Sequence, residues 1–264
     1  MKPVKIALTI AGSDPSGGAG IQADLKTFSR LRVYGMAVIA ALTAQNTLGV
    51  TDVAEIAPDF LERQLDAVLS DITPDATKTG MLLTAPATEV VARKIHQYRI
   101  RNVVVDPVMV STSGATLLTP EAINTIRRAL LPLAHLVTPN LDEARVLTGK
   151  PIDNLDDMEE AALQIHGMGV SNVLIKGGHA EGNEITDLFF DGNDFAQLRG
   201  TRIEARNTHG TGCVLSAAIA AHLALGRATL EAVRLGKDFV TEAIRNGLAI
   251  GRGTGPCDPL SLNG

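Results

Sequence analysis

The residues best able to do chemistry gather in glycine-rich segments, and the sharpest is Asn207-Thr208-His209-Gly210-Thr211-Gly212-Cys213. Gly210 and Gly212 precede an alanine-rich run whose apolar positions Val214, Ala218, Ala221 and Leu225 form one stripe at helical spacing. The first N–H groups of a helix lack intrahelical partners, and its dipole is positive at that end. Glycines let these groups face an anion, so the segment, with Thr208 and Thr211, reads as a cradle for a phosphate or an oxyanion. The bland alternative is a glycine-lined loop before a packed helix. Cys213 falls in the first turn, where a helix N-terminus lowers a thiol pKa from about 8.5. A free cysteine is more often a small buried hydrophobe, but the place beside the cradle favours a reactive thiol. Cys257 has no comparable setting and takes no role.

The segment Gly12-Ser13-Asp14-Pro15-Ser16-Gly17-Gly18-Ala19-Gly20 resembles a phosphate loop only on the surface. Gly18 stands where a Walker motif needs its lysine, and no glycine completes a dinucleotide fingerprint after Gly20. It reads as a close-approach turn feeding the helix that carries Asp24, with glycine letting a small substrate lie against the backbone. Of the six histidines only His209 lies in a motif, either bracing the loop or touching a nucleotide. His96, His135, His166, His179 and His222 lack metal-ligand pairing, and His179, after Gly177-Gly178, is a further candidate for nucleotide contact.

These residues need elements to position them. Short β-branched runs alternate with segments of helical period, which predicts βα units around a mainly parallel sheet. The expected strands are 5–10, 37–42, 77–80, 103–105, 136–137 and 173–175. The expected helices are 19–31, 59–69, 87–96, 120–131, 141–147, 155–168, 211–225 and 229–247. Thr119 followed by Pro120 is a good helix start. Residues 50–56 and 184–199, the latter with the turn Asp191-Gly192-Asn193-Asp194, read as antiparallel ribbons at the sheet edge or as a flap over the site. Polar residues follow almost every parallel strand: Gly12, Ser13 and Asp14; Gln45 and Asn46; Lys78 and Thr79; Asp106; Asn140 and Glu143; Lys176. The ligand crevice of an open parallel sheet lies outside the carboxyl ends of its strands, so these should converge there.

Composition bounds the function. Over 264 residues, 24 Lys and Arg against 29 Asp and Glu leave a net charge of −5, and no basic block suits a nucleic acid. Hydrophobic residues make up 45%, too many for disorder, and with 6 Phe, 2 Tyr and no Trp the core must be aliphatic. Two cysteines are too few for a disulfide scaffold, which fits a reducing cytoplasm. The longest stretch without Asp, Glu, Lys or Arg, residues 207–226, opens with polar and glycine residues, leaving too little for the ~20 apolar residues of a membrane span. No repeat or long linker divides the chain, so a single domain over 1–264 is expected.

The segments 16–28 (SGGAGIQADLKTF), 43–47 (TAQNT), 78–82 (KTGML), 106–109 (DPVM), 138–144 (TPNLDEA), 176–179 (KGGH) and 207–216 (NTHGTGCVLS) together resemble the hydroxymethylpyrimidine/phosphomethylpyrimidine kinases of thiamine biosynthesis. These are a branch of the ribokinase-like superfamily, and the resemblance runs in order over nearly the whole chain. It implies a three-layer αβα domain with a small β flap, ATP and Mg²⁺, and a homodimer. The reaction implied is phosphorylation of 4-amino-5-hydroxymethyl-2-methylpyrimidine and then of its monophosphate. By position, Asp24 and Gln45 would contact the pyrimidine and its amino group, with Gly12 and Val108 lining the pocket. Asn140, Lys176 and the cradle of Thr208, Gly210, Thr211 and Gly212 would hold the ATP phosphates, with Lys237 near the nucleotide. Asp106 and Glu143 would act around the metal. Cys213, with Gly210, Gly212 and Lys176 as its catalytic companions, occupies the place where many sugar kinases of the superfamily carry a catalytic aspartate. Its thiolate would take the proton of the substrate alcohol, a need that lessens when the nucleophile is the anionic monophosphate. One departure is in the tail, where relatives often have a histidine near Pro259. The rival readings are a pyridoxal or pyridoxine kinase of the same superfamily, which Gln45 disfavours, and a catalytically silent nucleotide-binding regulator.

Overall fold

The computed structural model describes residues 4–109, 118–178 and 184–261. The first half runs β1 (Ile6–Ser13), α1 (Gly20–Arg30), β2 (Tyr34–Asn46), β3 (Gly49–Glu55), α2 (Pro58–Leu69), β4 (Ala76–Thr79), α3 (Ala85–Gln97) and β5 (Val103–Val105). The second half runs α4 (Pro120–Thr125), β6 (Leu136–Val137), α5 (Leu141–Thr148), α6 (Leu155–His166), β7 (Asn172–Ile175), β8 (Glu184–Phe190), β9 (Phe195–Thr201), α7 (Thr211–Ala224) and α8 (Thr229–Arg245). Among the described residues, nine strands form one sheet in the order β3-β2-β1-β4-β5-β6-β7-β8-β9. β1, β2, β4, β5, β6 and β7 pair in parallel, while β3, β8 and β9 join antiparallel.

Alternation along the strands builds the layers, because successive side chains point to opposite faces. Val103, Val105, Val137, Val173 and Ile175 face one apolar cluster with α2, α3, α5 and α6. Val104, Leu136 and Leu174 face the other, beneath α1, α7 and α8. The three-layer αβα arrangement expected from the sequence is therefore present. Both ribbons extend the sheet at its edges, and residues of β9 and the following 202–205 also line the cavity described below.

Two expectations need correction. α7 is not striped: Val214, Leu215, Ala217, Ala218, Ile219, Ala220 and Ala221 are all buried, whereas Leu225, assigned to the stripe, is exposed. The helix is apolar all round because α1, α8 and the sheet enclose it. The helix starting at Pro120 is α-helical only to Thr125, then widens to a π turn over Ile126–Leu130 and ends in a 3₁₀ turn at Leu131–Leu133. Pro132 lacks the N–H that a continuing helix would need. Thr119 accepts a hydrogen bond from Ala122 N at 3.3 Å, the expected cap. Among the described residues no helix is long and apolar enough to cross a membrane.

Candidate active site

A cavity of about 1340 Å³ opens at the carboxyl ends of the parallel strands. Gly12, Gln45, Lys78, Asp106, Asn140 and Lys176, each at or just past a different strand, line it. Pockets for one drug-sized ligand span roughly 300–1,000 Å³, so this one has room for two. Val108, Glu143, Thr208, Gly210, Thr211, Gly212, Cys213 and Lys237 line it as well; Asp24 does not.

The cradle is built by interlocked glycine loops. Gly210 caps α7 with φ +82°, and a Cβ there would strike the carbonyl oxygen of Gly18. Gly18 in turn has no room for a Cβ against the His209 ring. Gly18 therefore serves contact between the protein's own loops, while Gly12 and Gly20 line the cavity, where the sequence pointed to a substrate's approach. The N–H of Gly20, opening α1, is directed at the Cys213 sulfur. The thiol itself runs against expectation. Burial raises its pKa, Lys78 opposes, Asp24 and Asp106 add to the rise, and the result is about 11. Burial and the two carboxylates thus outweigh the pull of Lys78 and favour the protonated thiol at neutral pH. Cys257 is buried, donates its N–H to His209 O at 3.1 Å and helps fasten the tail to the cradle.

Asp24 lies beneath the cavity, not in it. Fully buried, it receives Lys78 Nζ at 2.9 and 3.1 Å and Thr9 Oγ1 at 2.6 Å. Thr9 and Lys78 are paired neighbours on β1 and β4, so both reach the same carboxylate. Direct contact with a ligand in the cavity is closed to Asp24; its influence passes through Lys78, which does line the wall. Burial pulls the Lys78 pKa down, but Asp24, Cys213 and Asp106 outweigh it and hold the ammonium charged.

Across the cavity, Lys176 Nζ lies 3.3 Å from Asp106 Oδ1 and 3.9 Å from Glu143 Oε2. Asp106 also accepts Ser216 Oγ at 3.1 Å and Thr138 Oγ1 at 3.4 Å. Burial lowers the Lys176 pKa, yet Asp106 and Glu143 raise it above the usual lysine value. Glu143 is pushed up to about 7 by burial, against the pull of Lys176 and with the Asp106 charge adding to the rise. Asn140 and Glu143 form a capping box at the start of α5: Glu143 N donates to Asn140 Oδ1 and Asn140 N to Glu143 Oε2, each at 2.8 Å. Lys237 is held at 2.6 Å from both Asp187 Oδ2 and Leu198 O, clamping α8 to the sheet edge beside the cavity.

Two residues that the sequence left without a role support the site: Asp14 lines the cavity, and Ser216 donates to Asp106. Asp14 accepts from Ser16 N, Ser16 Oγ, Gly18 N and Ala19 N at 2.7–3.2 Å, and from His209 Nε2 at 2.8 Å. Burial raises its pKa, but the hydrogen bonds from His209 and Ser16 outweigh that and keep it a carboxylate. His209 is buried and braces the loop, the first of its two expected roles. Ser216, one helical turn beyond Cys213, was legible only as part of a motif string. His179 lies outside the described residues.

The fold and this site define a small-molecule kinase of the ribokinase-like class. A Bacillus subtilis hydroxymethylpyrimidine/phosphomethylpyrimidine kinase is 51% identical over 257 residues, covering 97% of this chain and 95% of that protein. A phosphomethylpyrimidine kinase structure from Clostridium difficile matches with TM-score 0.81 and 44% identity over 91% of this chain and 99% of its own. A Staphylococcus aureus pyridoxal kinase in complex with AMP-PCP and pyridoxal matches with TM-score 0.91 and 39% identity, over 99% and 96%. The chain belongs to the phosphomethylpyrimidine kinase family, whose pattern it matches over residues 14–258.

Proposed function

We propose that this kinase transfers the γ-phosphoryl group of ATP to the hydroxymethyl group of 4-amino-5-hydroxymethyl-2-methylpyrimidine, and a second one to the resulting monophosphate. The observation that carries this reading is one cavity, large enough for two ligands, that joins the Gln45 amide, the Cys213 thiol and the glycine cradle. Gln45 offers both a donor and an acceptor to an aminopyrimidine edge, while Gly12 and Val108 shape the pocket. The cradle N–H groups of Gly210, Thr211 and Gly212, with Thr208, Asn140 and Lys176, neutralise charge on the phosphates, which is most of what phosphoryl transfer needs. Lys237 borders the nucleotide end.

Asp106 and Glu143 suit Mg²⁺, which takes one or two carboxylates and completes its shell with water and phosphate oxygens. When bound, the ion supplies further charge neutralisation on those phosphates. Cys213 accepts the alcohol proton as the oxygen attacks phosphorus. A base with a pKa near 11 is mostly protonated at neutral pH, so turnover on the alcohol rises with pH through the neutral range. The monophosphate is already anionic, and its turnover stays flat there. A coupled ATP-consumption assay on the alcohol, the monophosphate and pyridoxal tests both claims; equal slopes for the first two substrates refute the base role.

A second reading, phosphorylation of pyridoxal, is favoured by the likeness to pyridoxal kinases. The same assay ranks it. One domain over 1–264 is supported by a sheet that takes strands from both halves of the chain. A homodimer would cover Leu42 and Leu48, exposed on and just beyond β2 at the β2–β3 edge, and sedimentation tests it. Two free cysteines suit the cytoplasm.

A further inference from the structure

The hydrogen atoms around Gln45 do not balance unless His209 sets the direction of its amide. Asp14 is a carboxylate that can only accept, so His209 Nε2, 2.8 Å from Asp14 Oδ2, carries a proton and donates. The same Nε2 lies 3.4 Å from the far end of the Gln45 side chain, where Nε2 of the amide would oppose one donor with another. At the near end, Thr43 Oγ1 is 3.0 Å from Ser13 O and 3.1 Å from Gln45 Oε1, and its single proton cannot serve two acceptors. Turning the amide by half a rotation resolves both conflicts together. Oε1 then shares the His209 proton, and Nε2 donates to a Thr43 hydroxyl whose own proton goes to Ser13. Two independent contacts choose the same orientation.

We propose that His209 is a specificity-setting positioning residue: its Nε2–H, held by Asp14, fixes the Gln45 amide so that the cavity meets a donor beside Thr43 and an acceptor beside His209. A ligand edge must then present an acceptor next to a donor in that order. A heteroaromatic ring nitrogen adjacent to an exocyclic amino group does so. A pyridine nitrogen flanked by carbon substituents, as in pyridoxal, offers no such pair, and an unmatched buried amide group is costly. The inference deepens the reading of Gln45 as the ring-contacting residue and rests on it.

The test uses steady-state kinetics on the full chain with Gln45→Leu, His209→Leu, His209→Gln and the double variant Gln45→Leu/His209→Leu. His209→Leu is expected to raise KM for the aminopyrimidine alcohol about tenfold, the worth of roughly one hydrogen bond, with KM for ATP changed far less. His209→Gln, whose amide donates from the same point, recovers most of the loss. In the double variant the two losses do not add. If Gln45→Leu raises the pyrimidine KM while His209→Leu does not, or the effects add in full, the inference is overturned and the role of Gln45 stands. If Gln45→Leu leaves that KM unchanged, both fall. Should His209→Leu fail to fold, ¹⁵N-histidine spectra of the unmodified protein decide: a proton resting on Nδ1 with Nε2 bare overturns the proposal.

Discussion

Lys78 and Lys176 both stand at the carboxyl ends of parallel strands in the same sheet, and each faces carboxylates across a gap in sequence. Lys78 is fully buried, with one tight partner at 2.9 Å and a threonine completing that carboxylate. Lys176 keeps 15% of its side chain exposed and is shared loosely by two carboxylates at 3.3 and 3.9 Å. The first group is electrically complete. The second carries one negative charge too many and borders the cradle; burial, with the Asp106 charge adding, pushes Glu143 up to about 7. Identical residue types thus make a tight pair whose carboxylate is sealed beneath the cavity in one place and a looser, more open group in the other.

The contrast can be broken by substitution. Lys78→Met leaves Asp24 buried without a cation, only Thr9 still donating to it, and should cost about 3–5 kcal/mol in chemical denaturation, most of it regained in Lys78→Met/Asp24→Leu. If the double variant is no more stable than the single one, the pair is not sealed as described. Cys213→Ala should lower kcat on the pyrimidine alcohol about 10³-fold while affecting the monophosphate much less, measured by product formation. Equal losses on both substrates would place the thiol in the cradle's work instead. Lys176→Met should lower kcat for both substrates about 10²-fold, and it should lower the melting temperature less than Lys78→Met does, because Glu143 can take up a proton.

The smallest effect concerns pH. Glu143 has a folded pKa near 7 against 4.5 unfolded, so the folded state binds the proton more tightly. Stability is then greatest below about pH 4.5 for this group and falls as pH rises to 7, by on the order of 2 kcal/mol. Glu143→Gln keeps an acceptor for the capping box and should flatten that part of the curve. A curve of unchanged slope in denaturant titrations at pH 5 and 7.5 would contradict the assignment.

Much of this was legible beforehand, for identifiable reasons. Residues 103–105 and 136–137 were read to the residue because consecutive Val and Leu strands leave no other period to fit. Gly210 marked the cradle because only glycine tolerates φ +82° against a neighbouring carbonyl. Asp24 was misplaced because its environment depends on Lys78, 54 residues away, and on the β1–β4 register that sets Thr9 beside it. The Cys213 thiol was misread for the same kind of reason: a local helix end was visible, but the burial and carboxylates around it were not.

By itself the chain's order of residues determined the alternation of strands and helices, the glycine turns and the family, since each depends on neighbours within one element or motif. Only the tertiary structure decided which carboxylate is sealed and which is open, and that Asp14 meets His209 across 195 residues. Charge depends on burial and on distances of a few ångströms, and those arise only when separate strands come into register.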